Sequence, residues 1–199
     1  MIFDNEYTDI KVNAKLKKDG VTVLTGANGA GKTSLLCAME NYCNKKQNNF
    51  ACLHWSDNEY GRGNGRSRLG MHPELLGFIT FRSEGQTISG SLDIFVVSRI
   101  RAIAKKHTGK KTFFILLDQL DSGLDVHSLI RFKNFFKDTV IPDLKKAGFT
   151  VYVVITANSY ECAEGEYCIN CVTGKPVEIN SYEAFKAYIE TFYEEGKNE

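Results

Sequence analysis

The sequence has little proline and no strong charge bias, and it contains no long apolar run. With 3 prolines in 199 residues and 43% hydrophobic content, a disordered or collagen-like chain is excluded. Lys plus Arg is 25 and Asp plus Glu is 24, so the net charge argues neither for nor against a nucleic-acid partner. No apolar stretch approaches the ~18 residues of a transmembrane helix, so no membrane association is expected. The opening residues MIFDNEYTDI lack the basic-then-apolar pattern of a signal peptide, and a cytoplasmic location is expected. No heptad run, internal repeat or linker divides the chain, so residues 1–199 are read as one domain.

A second cysteine pair is also lacking. Cys168 and Cys171 form a CxxC, with Cys162 upstream. A zinc site needs about four ligands, and no second CxxC or HxxxH spacing supplies the rest. The stretch CVTGKPVEI is read instead as a β-hairpin turning at Gly174 and Lys175. With no export pattern, all six cysteines are expected to be reduced.

What is present is an alternation of apolar runs and helical patterns. VTVLT (21–25), TFFILL (112–117) and TVYVVIT (150–156) read as buried strands, with a further strand near 51–54. Helices are expected after Gly31, over about 86–107, and over 126–148, where Pro142 should kink or interrupt the last of these. Ser181 is placed to cap a final helix carrying Phe185, Tyr188, Ile189 and Phe192 on one face. Residues 58–70 are rich in Gly and Arg and read as a loop. Strands alternating with helices predict an α/β fold, a largely parallel sheet covered on both faces.

Residues Gly26, Ala27, Asn28, Gly29, Ala30, Gly31, Lys32 and Thr33 spell GxxxxGK[ST] between a strand and a helix. That pattern turns backbone N–H groups inward around phosphates and adds the positive end of a helix dipole. Lys32 would meet the β- and γ-phosphates, Thr33 would meet Mg²⁺, and Ser34 follows within the same anion cradle. Asp118 ends the second strand, where an acidic residue helps to hold Mg²⁺; capping of the next helix is the alternative. The third strand ends in Ala157 and Asn158.

These motifs resemble the ATP-binding-cassette (ABC) ATPases, P-loop NTPases in fold. Asp118-Gln119-Leu120-Asp121-Ser122-Gly123-Leu124-Asp125 resembles their Walker B and D-loop stretch, and Ser83-Glu84-Gly85-Gln86 resembles their signature. An ordinary turn is the alternative reading of the tetrapeptide. The resemblance covers residues 26 to 158 and implies ATP and Mg²⁺ as cofactors. It also implies an ATP-dependent homodimer, in which Ser83, Gly85 and Gln86 act on the nucleotide of the partner chain. Ser122 to Asp125 would line the dimer seam.

Two positions depart from the family. Gln119 stands where a Glu usually orients the attacking water, and Asn158 where a His is usual. Both keep hydrogen bonding and lose acid–base capacity, so slow hydrolysis is expected. Asp121 or a partner residue is the alternative base. Gln47 is a poor match for the family's glutamine loop. Tyr7 is either an adenine-stacking ring or a packed strand residue.

The 50 residues between Lys32 and Ser83 leave no room for the helical subdomain of transporter subunits. The resemblance is thus to minimal RecF-like or SMC-like heads, with DNA repair, recombination or phage-related processes as the setting. The basic run 99–111 and the cluster Arg62, Arg66 and Arg68 are candidate nucleic-acid contacts. A solvated helix end explains the first equally well. Two other functions stay open. One is a nucleotide-gated module that reports to a protein partner with little hydrolysis; the other is a small-molecule kinase.

Overall fold

A computed structural model describes residues 1–5, 10–45, 47–48, 50–56, 96–107, 109, 111–122 and 124–195. Among these, a six-stranded sheet runs in the order β4-β5-β6-β3-β7-β8. Its strands are β3 (Gly20–Thr25), β4 (Ala51–Ser56), β5 (Thr112–Asp118), β6 (Thr150–Thr156), β7 (Tyr167–Asn170) and β8 (Pro176–Val177). All pairings are parallel except β7 with β8. A separate antiparallel pair, β1 (Ile2–Asn5) and β2 (Ile10–Asn13), precedes it. Sequence reasoning missed that pair, because four residues are too few for period-two alternation to stand out.

The central strands β3, β5 and β6 are buried along almost their whole length because both faces of the sheet are covered. Along β5, Phe113, Ile115 and Leu117 enter one core while Phe114 and Leu116 enter the other. The second core is closed by α1 (Lys32–Asn44) through Leu35, Leu36, Met39 and Cys43. Phe3 and Val12 of the β1–β2 pair join it. The first core is closed by four helices: α2 (96–106), α3 (Val126–Phe135), α4 (Ile141–Lys146) and α6 (Tyr182–Glu195). The short α5 (Tyr160–Ala163) adds Cys162 and Ala163.

The α-helix is interrupted just before Pro142, as expected. A π-helical segment, Phe136–Val140, joins α3 to α4. Proline cannot donate to the carbonyl four residues back, and a wider turn accommodates that loss. The predicted hairpin at 171–179 is shifted: its strands are β7 and β8, so Cys171 and Val172 lie in the turn. Of the helix expected over 86–107, residues 96–106 are helical, His107 is in a turn, and 86–95 lie outside the described residues. The Ser181 cap is as expected, with its Oγ accepting from Ala184 N at 3.1 Å.

The connection from β3 leads past β6 and β5 to β4, whereas that from β6 crosses β3 to reach β7. The chain therefore diverges around β3, and the crevice at a switch point of this kind is where open α/β sheets bind ligands. No helix among the described residues is long and apolar enough to cross a membrane.

Candidate functional site at the strand tips

The glycine-rich loop leaves the end of β3 and enters α1. Gly29 and Gly31 have φ of 86° and 89°, a region that residues with a Cβ adopt only under strain. They wind the chain back so that the N-terminus of α1 opens onto the loop. No side chain caps that N-terminus, and a helix leaves its first N–H groups without internal acceptors. These are the donors that an anion would take.

Lys32 is buried and folds back over the loop, where Nζ donates to Gly26 O at 2.7 Å and Ala27 O at 3.0 Å. Burial lowers its pKa, and the nearby Cys171, Asp121 and Asp118 oppose that shift. A cationic side chain beside an uncapped helix N-terminus suits an anion.

Asp118 is 2% exposed, and hydroxyls donate to both of its oxygens. Thr33 Oγ1 donates to Oδ2 at 2.9 Å, and Thr156 Oγ1 donates to Oδ1 at 2.8 Å. Mg²⁺ prefers oxygens at about 2.1 Å in an octahedron, whose adjacent corners lie about 3 Å apart. The spacing of Thr33 and Asp118 fits that edge, so these two residues could hold the ion. Among the described residues no cluster of three His, Cys, Asp or Glu could hold a metal on its own. Water and phosphate oxygens would have to complete the shell.

Gln119 follows in the left-handed region at φ 52°, and its N–H donates to Thr156 Oγ1 at 2.7 Å. Such a conformation in a non-glycine residue marks a turn held in place by its surroundings. Asn158 is reached through Asp121, whose carboxylate accepts from Asn158 N at 2.6 Å, Ser159 N at 2.8 Å and Asn158 Nδ2 at 3.3 Å. A carboxylate with three donors is engaged as a strut, which disfavours the alternative of Asp121 as general base.

The fold thus gathers residues 26–34, Asp118, Gln119 and Asn158 on one edge of the sheet. Asp125 is not among them by contact. It caps α3, accepting from Ser128 N at 2.9 Å and Ser128 Oγ at 2.7 Å, and those bonds hold its carboxyl below the usual value. Gln47 lies in an exposed turn after α1. Ser83, Gly85, Gln86, Tyr7, Arg62, Arg66 and Arg68 lie outside the described residues. On α2, Arg99, Arg101, Lys105 and Lys106 are exposed.

Sequence reasoning missed three supports of the site. Thr156 links Asp118 to Gln119; its only signal was a hydroxyl ending an apolar strand. Cys171 donates to Ala30 O at 3.2 Å from beneath the loop. Tyr188 of α6 meets Thr25, the last residue before the loop, with its hydroxyl 3.4 Å from Thr25 Oγ1. A cavity of about 390 Å³ opens between Gly26, Ala27 and Asn28, the Asn158–Glu161 segment, and α6. In comparisons with known proteins, no protein-family model and no curated protein sequence matches this chain.

Proposed function

We propose that this protein is a P-loop NTPase of the ABC type. It binds ATP with Mg²⁺ at residues 26–34 and Asp118, hydrolyses it slowly, and completes its site with a second copy of the chain. The observation that carries this reading is the hydrogen bond from Thr33 to Asp118 beside the folded-back Lys32. It joins the glycine-rich loop to an acidic strand tip, the two halves that a Mg²⁺–nucleotide requires. Gln119 replaces a carboxylate that could take a proton from water, which accounts for slow turnover. The second copy rests on the resemblance of Ser83 to Gln86 to the family signature.

A second reading, a nucleotide-gated module that hardly hydrolyses, is favoured by one observation. The two carboxylates flanking Gln119, Asp118 and Asp121, are both already bound by donors. Mass measurement in solution with and without ATP and Mg²⁺, run beside phosphate release, separates these readings. Dimerisation with turnover supports the ATPase, and dimerisation without turnover supports the gated module. A persistent monomer that passes its γ-phosphate to a small molecule would indicate a kinase. Failure to bind ATP at all would overturn the whole proposal.

A further inference from the structure

The loops after β5 and β6 are cross-tied. Thr156 Oγ1 accepts from Gln119 N at 2.7 Å, and Asp121 accepts from Asn158 and Ser159. The second tie matters because Asn158 and Ser159 lie between β6 and α5, outside any strand or helix. The far end of the same segment is also held. Lys133 Nζ donates to Glu161 O at 2.8 Å, Cys162 O at 3.1 Å and Glu164 O at 3.3 Å. Lys133 is itself buried and pairs with the Glu166 carboxylate at 3.6 Å.

We infer that Asp121 is a positioning residue that holds Asn158 at the terminal-phosphate end of the site. The inference rests on the ATPase reading above. Lys32 identifies that end: its Nζ lies on the carbonyls of Gly26 and Ala27, and this lysine meets the β- and γ-phosphates in the role given to it. Gly26, Ala27 and Asn28 line the same cavity as Asn158. With Asn158 Nδ2 bound to Asp121, the amide oxygen of Asn158 is the acceptor left to orient a water. Only a carboxylate suits position 121, because it accepts from all three N–H groups and donates to none. An asparagine there would turn an NH₂ toward one of those donors.

The test compares wild type, Asp121→Ala, Asn158→Ala and the double variant. It follows amide hydrogen exchange at Asn158 and Ser159, ATP affinity, and steady-state phosphate release. In Asp121→Ala those two amides lose their acceptor and should lose protection, while ATP affinity stays within about twofold. The kcat should fall by about tenfold or more, the scale expected when a positioned group is misplaced. In the Asn158→Ala background, Asp121→Ala should cause no further loss of kcat. Asp121→Glu keeps the charge but moves it by one methylene, so its kcat should lie between those of wild type and Asp121→Ala; if Asp121→Ala does not fold, that partial loss, and its absence in the Asn158→Ala background, is the readout. Unchanged exchange, multiplicative effects on kcat, or affinity falling in step with kcat would each overturn the positioning role. A wild type that binds no ATP would instead overturn the ATPase reading, and the role of Asn158 with it.

Discussion

Thr33 Oγ1, at the start of α1, lies 2.9 Å from Asp118 Oδ2 although the two are 85 positions apart, and β3, the strand that leads into α1, is not a neighbour of β5. β6 lies between the two, and its own Thr156 takes the other oxygen of Asp118. One carboxylate therefore links the tips of β5 and β6 to the start of α1.

Replacing Asp118 with Asn should uncouple nucleotide binding from Mg²⁺. The amide keeps one acceptor oxygen, so one of the two threonine hydroxyls loses its acceptor in a buried site, which costs about 1–3 kcal/mol of stability. ATP affinity measured with Mg²⁺ and with a chelator should become equal in Asp118→Asn. A variant that keeps the wild-type difference would remove Asp118 from the metal site.

Lys32→Met should fold normally and lose ATP. The methionine retains the stem of the side chain and removes an ammonium that burial already disfavours. The melting temperature should move by less than about 5 °C. Fluorescent-nucleotide affinity should fall at least about tenfold, the loss of one charge-assisted contact. Equal affinity in the variant would count against the phosphate role.

Gln119→Glu should raise the rate of phosphate release. The new carboxylate would stand where a water must be deprotonated, and general-base assistance is worth about 10²–10⁴-fold when geometry is right. An unchanged or lower rate in single-turnover measurements would assign Gln119 some other task.

Gly26→Ala should distort the loop from one side only. A Cβ there would stand 2.7 Å from Cys171 Sγ and 3.2 Å from Ala30 Cβ. Nucleotide affinity and melting temperature should both fall. Adding Cys171→Ala removes the sulfur and should restore part of each. If the double variant is no better than Gly26→Ala, the sulfur contact is not the cause.

Stability should decline in alkali. Burial pushes the Cys168 and Cys171 thiols up to about 11, from 9.0. Below the unfolded value both states carry the neutral thiol and the contribution is fully present. As pH rises from 9 through 11 the unfolded chain ionises first, so stability is lost across that window. Denaturant midpoints at about pH 8 and about pH 10.5 should diverge in wild type and diverge less in Cys171→Ala. Equal divergence would exclude Cys171 as a contributor.

Local chemistry was readable because it is written in consecutive residues. The glycine-rich loop, Asp118 after its apolar run, and the Ser181 cap each follow from a stretch of fewer than ten residues, and so do β3, β4, β5 and β6. A continuous apolar run says that both faces of a strand are covered, which already implies a largely parallel sheet. What covers each face is not written locally. Thr156 is one more residue in β6 until β5 docks beside it, and only then does its hydroxyl join Asp118 to Gln119. Cys171 stands in a CxxC whose context reads as a hairpin, and nothing local to it says that it donates to a carbonyl 141 positions away. Asp121 was a candidate base in sequence, and the fold brings three N–H donors to it. Hydrogen bonds are short and directional, so which polar groups meet depends on the register of strands and the placing of loops. The sequence by itself determined the phosphate-cradle motif and the α/β class; tertiary packing decided which residues brace that loop and how Gln119 and Asn158 are held beside it.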